Sequence, residues 1–294
     1  MRTYDHRTFS AEALAATRER SISVCLPARD EAATIGPILE VLLPLRERGA
    51  IDQVVVVDDS SDGTGEIAAR LGAEVHRQSD LMEGLGPVRG KGDAMWRALS
   101  VLTGDVVCYL DADSEEVGEH FAVGLIGPLA RGEDVRFVKG YYRRPWRTEG
   151  TVRPEGGGRV TELLARPMLR RFFPELAGFH QPLAGEIAAR RDLLVSLPFA
   201  TGYAVDIALL IDAWRAVGME GLAQVDLDVR QNRHQPLASL GPMAAEVLAG
   251  IASRMERDGR LSDAGEGAPL LERPPLRDAH HTLLTAGSPP LHSV

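Results

Sequence analysis

Short aliphatic runs in this chain end abruptly in acid. Val54 to Val57 gives way to Asp58-Asp59, and Val106 to Leu110 gives way to Asp111-Ala112-Asp113. Continuous aliphatic runs bounded by turn residues read as strands buried on both faces, because a half-wet strand alternates polar and apolar positions. An earlier run, Ser21 to Leu26, has the same character and stops at Pro27. Between and after these runs lie Ile35, Ile38, Leu39, Leu42 and Leu43, then Ile67 and Leu71, then Met95, Ala98, Leu99 and Leu102, all at helical spacing. Strands alternating with amphipathic helices fold as an α/β, mostly parallel, Rossmann-like sheet with helices on both faces. Ligands bind such sheets beyond the carboxyl ends of the strands, so Asp58, Asp59, Asp111 and Asp113 mark the edge where a site belongs.

The chain has 294 residues, 44% hydrophobic and 26% charged, which is ample for a buried core. Its net charge of -9 argues against a surface built for nucleic acid or an anionic membrane. That average conceals an island: Arg136 to Arg171 holds ten Lys/Arg against three Glu. Within it the glycine-rich Pro154 to Gly158 precedes Arg159-Val160-Thr161-Glu162, a helix start whose amides and arginine suit a phosphate or carboxylate. Cys25 and Cys108, the two cysteines, sit inside apolar runs and read as small buried hydrophobes in a reducing, cytoplasmic compartment. The segment MRTYDHRTFS has no apolar core of a signal peptide, and no stretch approaches the ~18 apolar residues of a membrane span.

Hard divalent cations take carboxylate oxygens and share substrate phosphates, so the Asp111/Asp113 pair at a strand end suits a metal-diphosphate site. Asp59 is a reasonable acceptor for a nucleoside, with Asp58 structural. The loop Gly84 to Gly92 carries Arg89 and Lys91 but lacks Walker A spacing; it reads equally as a basic loop closing on phosphate or as a solvated turn. His234 follows the apolar segment Leu222 to Val229 within Arg230 to Gln235, where an imidazole could join a metal held by Asp113. Helices are expected over Val205 to Val217 and Pro242 to Arg257, and an irregular tail from Ser262.

Taken together, Leu26-Pro27-Ala28-Arg29-Asp30-Glu31, the Asp58-Asp59 strand end, Gly90-Lys91-Gly92, Asp111-Ala112-Asp113, Tyr142-Arg143-Arg144-Pro145, Gly156 to Leu163 and Pro182-Leu183-Ala184-Gly185-Glu186 resemble the glucosyl-3-phosphoglycerate synthases. The resemblance runs from about Ser21 to about Arg257, with an echo at Glu272-Arg273-Pro274-Pro275. It implies a GT-A nucleotide-diphosphosugar transferase fold with a helical C-terminal extension, usually dimeric. The implied reaction moves glucose from UDP-glucose to the 2-hydroxyl of 3-phosphoglycerate with retention, using Mg²⁺ or Mn²⁺. A mannosyl-3-phosphoglycerate synthase, or a diverged relative glycosylating a specialised metabolite, is the alternative. The implied layout is an N-terminal extension (1–20), a nucleotide-sugar half (21–135), an acceptor half with the C-terminal helix (136–257) and an irregular tail (258–294).

By the same resemblance Pro27, Ala28, Glu31, Asp59, Asp111 and Ala112 line the nucleotide site, Lys91 faces the diphosphate and Asp113 binds the metal. Gly158, Arg159, Val160 and Thr161 cradle the phosphorylated acceptor, while Leu183, Glu186, Tyr203 and Asp206 surround the sugar and the reacting hydroxyl. The family often reads Arg-x-His-Arg-Asn-Arg-Pro-Leu where this chain has Arg230-Gln231-Asn232-Arg233-His234-Gln235-Pro236-Leu237. Direct alignment puts Asn232 at the metal position and His234 at an acceptor position; imidazole being the more natural nitrogen ligand, His234 is assigned to the metal and Asn232 to the acceptor. Asp206 stands where glucose-specific members often carry Glu.

Overall fold

A computed structural model of the protein describes residues 1–130, 134–148, 151–153, 158–230, 236–262 and 270–279. The chain opens with β1 (Arg2–Asp5) and α1 (Ala11–Thr17), whose N-terminus is capped by the Ser10 hydroxyl accepting from the Ala13 amide. Three strand–helix units follow: β2 (Ile22–Ala28) with α2 (Ile35–Glu47), β3 (Gln53–Asp58) with α3 (Thr64–Leu71), and β4 (Glu74–Arg77) with α4 (Lys91–Ala98). Then come β5 (Val106–Tyr109), α5 (His120–Ala130), β6 (Phe137–Arg143) and a short ribbon of β7 (Trp146–Thr148) and β8 (Thr151–Arg153). A π-helical turn, Thr161–Ala165, runs into α6 (Arg166–Phe172), followed by β9 (Ile187–Arg190), α7 (Arg191–Leu194) and β10 (Phe199–Ala200). The described chain closes with α8 (Val205–Val217), β11 (Leu222–Val229), α9 (Leu237–Arg257) and β12 (Glu272–Arg273).

Eight strands form one sheet in the order β1-β11-β6-β9-β5-β2-β3-β4. β9 runs antiparallel to both β5 and β6, and the other neighbouring pairs are parallel. Side chains alternate between two cores, as strand geometry requires. Val24, Leu26, Val54 and Val56 pack with α1, α2 and α5 on one face; Cys25, Val55, Val57 and Tyr109 pack with α4, α6, α8 and α9 on the other.

Three expectations are corrected. Residues 1–20 do more than extend the domain, because β1 pairs in register with β11 and closes that edge of the sheet. The last long helix starts at Leu237 rather than Pro242, so Pro242 lies inside it. The segment 270–279 is not irregular throughout: β12 pairs with β10, and Arg273 is buried.

This topology decides what meets at the functional edge. β5 and β11 bring their carboxyl ends there, followed by Asp111 and Arg230, while antiparallel β9 brings its beginning, preceded by Gly185 and Glu186. Residues distant in sequence therefore converge at one end of the sheet.

Candidate active site

A cleft of about 610 Å³ opens at that edge. Pro27, Ala28, Glu31, Asp59, Lys91, Asp111, Ala112 and Asp113 line it, together with Gly158, Arg159, Val160, Thr161, Leu183, Tyr203 and Asp206. Asp59 is partly exposed and lies 3.9 Å from Arg29, whereas Asp58 is buried and accepts from the Ser60 amide at 3.2 Å, a turn-forming role. Thr34 donates to the Ala112 carbonyl at 2.6 Å and ties the start of α2 to the acidic loop. Gly158, at φ 74, lets the chain turn into the helical segment, whose Glu162 amide returns to the Gly158 carbonyl at 3.0 Å.

The acidic edge is held by a network around Arg230, which is 1% exposed. Its guanidinium lies 2.6 Å from Asp113 Oδ1, 3.1 Å from Asp111 Oδ2 and 2.6 Å from Glu186 Oε1, and it donates to Ser114 Oγ at 2.8 Å and Tyr142 Oη at 2.8 Å. One planar cation thus spans three carboxylates, a task suited to the fixed fork of arginine. Lys91 supplies the second charge, with Nζ 2.7 Å from Asp111 and 3.3 Å from Asp206. Gly185 permits this approach: a Cβ there would collide with the Asp111 carboxylate and the Lys91 ammonium.

The electrostatics follow from this pairing. Burial works against charge on Asp111, but Lys91 and Arg230 overcome it and hold the carboxyl below its ordinary range. Burial likewise opposes the Lys91 ammonium, and Asp111 with Asp206 reverses the balance, raising it. Burial pushes the Glu186 and Asp206 carboxyls up, against the pull of Arg230 and Lys91 respectively. Beneath them Lys139, fully buried, donates to the Asp206 carbonyl at 3.2 Å, and burial brings its ammonium down to about 8.

Glu186 is placed differently from expectation. It is 1% exposed, accepts from Tyr142 Oη at 2.6 Å, and does not line the cleft. Held by Tyr142 and Arg230, it braces the cation that contacts Asp111 and Asp113. Asn232 and His234 lie outside the described residues, as do Gly156 and Gly157. Asp206 is 6% exposed; its Oδ2 faces Lys91, while its Oδ1 has no hydrogen-bond donor among the described residues. The Tyr203 amide donates to Glu246 at 2.6 Å, tying the cleft rim to α9.

Sequence reading quoted Arg230, Tyr142 and Arg144 within motifs without giving them a role, and missed Glu246. Arg230 carried a usable signal: it directly follows the apolar run of β11, at the same edge as the acids. Metal chemistry fits the donors present. Among the described residues no three His, Cys, Asp or Glu side chains gather as a closed metal cage, while Asp113 offers a carboxylate whose side chain is 49% exposed. A hard cation bound by a protein carboxylate and completed by substrate phosphates and water requires no more than that from the chain.

Comparison with known proteins places the chain in a family. The profile of Glycosyl transferase family 2 matches residues 23–144, from β2 through β6. The glucosyl-3-phosphoglycerate synthase of Mycolicibacterium smegmatis is 42% identical over 258 residues, 87% of this chain and 84% of the relative. The crystal structure of mannosyl-3-phosphoglycerate synthase from Rubrobacter xylanophilus superposes with a TM-score of 0.86 at 44% identity, covering 94% of this chain and 97% of that one. Glucosyl-3-phosphoglycerate synthase from Mycobacterium tuberculosis, solved with Mn²⁺, UDP-glucose and phosphoglyceric acid, gives a TM-score of 0.84 at 39% identity, covering 95% and 99%. With the GT-A sheet, the strand-end acids and the opposed basic loop all in place, the chain belongs to the glucosyl-3-phosphoglycerate synthase family of glycosyltransferases.

Proposed function

We propose that the protein transfers glucose from UDP-glucose to the 2-hydroxyl of 3-phosphoglycerate, giving glucosyl-3-phosphoglycerate with retained anomeric configuration and requiring Mg²⁺ or Mn²⁺. The observation that carries this reading is that one cleft holds both the strand-end acids with Lys91 and the Arg159 helix start. Acid alone would repel a phosphorylated acceptor, and base alone would leave no place for a metal.

Pro27, Ala28, Glu31 and Asp59 hold the uridine, with Asp111 and Ala112 against the nucleotide. Asp113 would hold the metal, with His234 as the second protein ligand and Asn232 as an acceptor contact. When bound, the metal neutralises negative charge on the departing diphosphate. Lys91, kept charged by Asp111 and Asp206, adds fixed positive charge beside that group. Gly158, Arg159, Val160 and Thr161 grip the acceptor phosphate and orient its hydroxyl, with Leu183 and Tyr203 packing the sugar. Asp206, which lines the cleft and faces Lys91, accepts from a sugar hydroxyl. An acceptor hydroxyl approaching beside the leaving diphosphate hands its proton to a phosphate oxygen, so no protein base is needed. Positioning is then the chain's principal contribution.

We also read the enzyme as a homodimer in the cytoplasm; both cysteines are free and buried, which suits a reducing compartment. Sedimentation of the purified protein tests the dimer. The activity is tested by UDP release: it is expected from UDP-glucose only when metal and 3-phosphoglycerate are both present. Faster turnover of GDP-mannose would reassign the donor, and no release from folded, metal-loaded protein would overturn the reading.

A further inference from the structure

We infer that Arg273, on the short strand β12 near the end of the described chain, is a positioning residue for the donor side of the cleft. It acts by fixing the loop 78–90 from which Lys91 enters the site. This rests on the donor-site reading above, because the loop matters to catalysis only if Lys91 and Arg89 face a nucleotide diphosphate.

The loop has little regular structure, two short 3-10 turns at Gln78–Asp80 and Glu83–Leu85, with Met82 held at φ 56 between them. Its carbonyls must find donors elsewhere, since unpaired backbone groups inside a protein are costly. Two guanidinium groups supply them. Arg97 of α4, fully buried, donates to the carbonyls of Leu81 and, at 2.6 Å, Gly86. Arg273 donates to the carbonyls of Leu85 at 2.5 Å and Pro87 at 2.9 Å. Both cations converge on Asp93, itself 0% exposed: Arg273 Nε lies 2.6 Å from Oδ1 and Arg97 Nε 3.0 Å from Oδ2. The Arg89 amide donates to the same Oδ2 at 2.9 Å, so the carboxylate also fixes the last turn of the loop.

The strand carrying Arg273 is itself anchored. β12 pairs with β10, the Thr201 amide donates to the Leu271 carbonyl at 3.0 Å, and the Trp96 indole donates to the Pro274 carbonyl at 2.8 Å. The Asp93 amide in turn donates to the Thr201 carbonyl at 3.2 Å. Arg273 thus joins three things: the end segment, the start of α4, and the loop that ends in Arg89-Gly90-Lys91. Arg89, Gly90, Lys91 and Ala94 all line the cleft. Two buried arginines around one aspartate are a costly way to fill space, since apolar side chains of that volume would do as well for stability. The guanidinium fork accomplishes what an apolar plug cannot: it fixes the carbonyls of an irregular loop at set positions.

Two substitutions separate positioning from packing. Arg273→Lys keeps a cation near Asp93 but cannot fork to Leu85 and Pro87; Arg273→Met keeps bulk without charge. Both are read by amide hydrogen exchange over residues 81–89, by calorimetric affinity for UDP with Mn²⁺, and by KM for 3-phosphoglycerate. Exposed Arg277, on the same segment, is the control as Arg277→Ala. In Arg273→Lys, exchange over 81–89 should quicken and UDP affinity fall, each by about tenfold, while KM for 3-phosphoglycerate stays within about twofold and Arg277→Ala changes nothing. Unchanged loop exchange in a folded Arg273→Lys protein overturns the inference, as does an equal fall in donor and acceptor affinity. If the unaltered protein fails to bind UDP, the donor reading fails, and loop exchange alone still decides whether Arg273 anchors the loop.

Discussion

The two sides of the cleft are built by different means. The donor side consists of strand ends, Ala28 of β2, the residues after β3 and the loop after β5, locked from beneath by Arg230 and Lys91. The acceptor side consists of a positive-φ glycine, a helix start and a π-helical turn, with Arg159 and Arg166 partly exposed. A rigid, charge-compensated edge can hold carboxylates close together before any ligand arrives. A helix start with open amides is instead an anion seat that needs no buried partner. The difference teaches that substitutions of the buried donor-side groups should cost both stability and turnover, those of its exposed Asp113 turnover alone, and those on the acceptor side acceptor affinity alone.

The largest effect is expected at Arg230. Replacing it by Met removes the cation paired with Asp113 and Glu186 and leaves Asp111 only Lys91, and breaking a buried pair of this kind costs about 3–5 kcal/mol. Urea unfolding checks this, and unchanged stability would show that the network adds nothing. Next, Asp113→Asn should lower turnover by roughly a hundredfold to a thousandfold, the scale for losing transition-state charge stabilisation, with little change in urea midpoint because the side chain is half exposed. Steady-state kinetics at saturating metal measures it. On the other side of the cleft, Arg159→Ala should raise KM for 3-phosphoglycerate by about tenfold to a hundredfold, the range for charged hydrogen bonds, and leave KM for UDP-glucose alone.

The smallest effect concerns pH and Lys139. Its ammonium, faced by Asp206, Lys91, Glu186 and Asp111, is lowered from 10.5 to about 8 by burial. Below about 8 it is charged in both folded and unfolded chain, so the burial penalty is fully present; between 8 and 10.5 only the unfolded chain keeps the proton, and this group's contribution to stability rises with pH. Activity should move oppositely, declining above about pH 8 as the positive charge beneath Asp206 is lost. The pH profile of kcat for Lys139→Met should lack that alkaline limb; a profile identical to the unaltered protein's would exclude Lys139 as its source.

The sequence exposed the donor side better than the acceptor side, for a physical reason. Buried parallel strands are continuous aliphatic runs, so Val54 to Val57 and Val106 to Leu110 announced both the sheet and the acids at its edge. β11 and α8 were bounded correctly for the same reason: their apolar patterns are strong. What escaped depends on strand order. Arg230 meets Asp111 only because β6 and β9 alone separate β11 from β5, and Glu186 reaches the same edge because β9 runs antiparallel; neither fact is written in local periodicity. β1 escaped because an edge strand in contact with water has a weak apolar signature, and Arg273 because its partners lie about 180 residues earlier. The metal ligand assigned to His234 and the acceptor contact assigned to Asn232 fall outside the described residues.

The division of the cleft is tested most directly by calorimetry of two ligands, UDP with Mn²⁺ and 3-phosphoglycerate, against the unaltered protein, Asp113→Asn and Arg159→Ala. Asp113→Asn should lose the metal-dependent part of UDP binding and keep 3-phosphoglycerate, while Arg159→Ala should do the reverse. Loss of both ligands in both variants, or full affinity of Arg159→Ala for 3-phosphoglycerate, would contradict an acid side for the donor and a basic side for the acceptor.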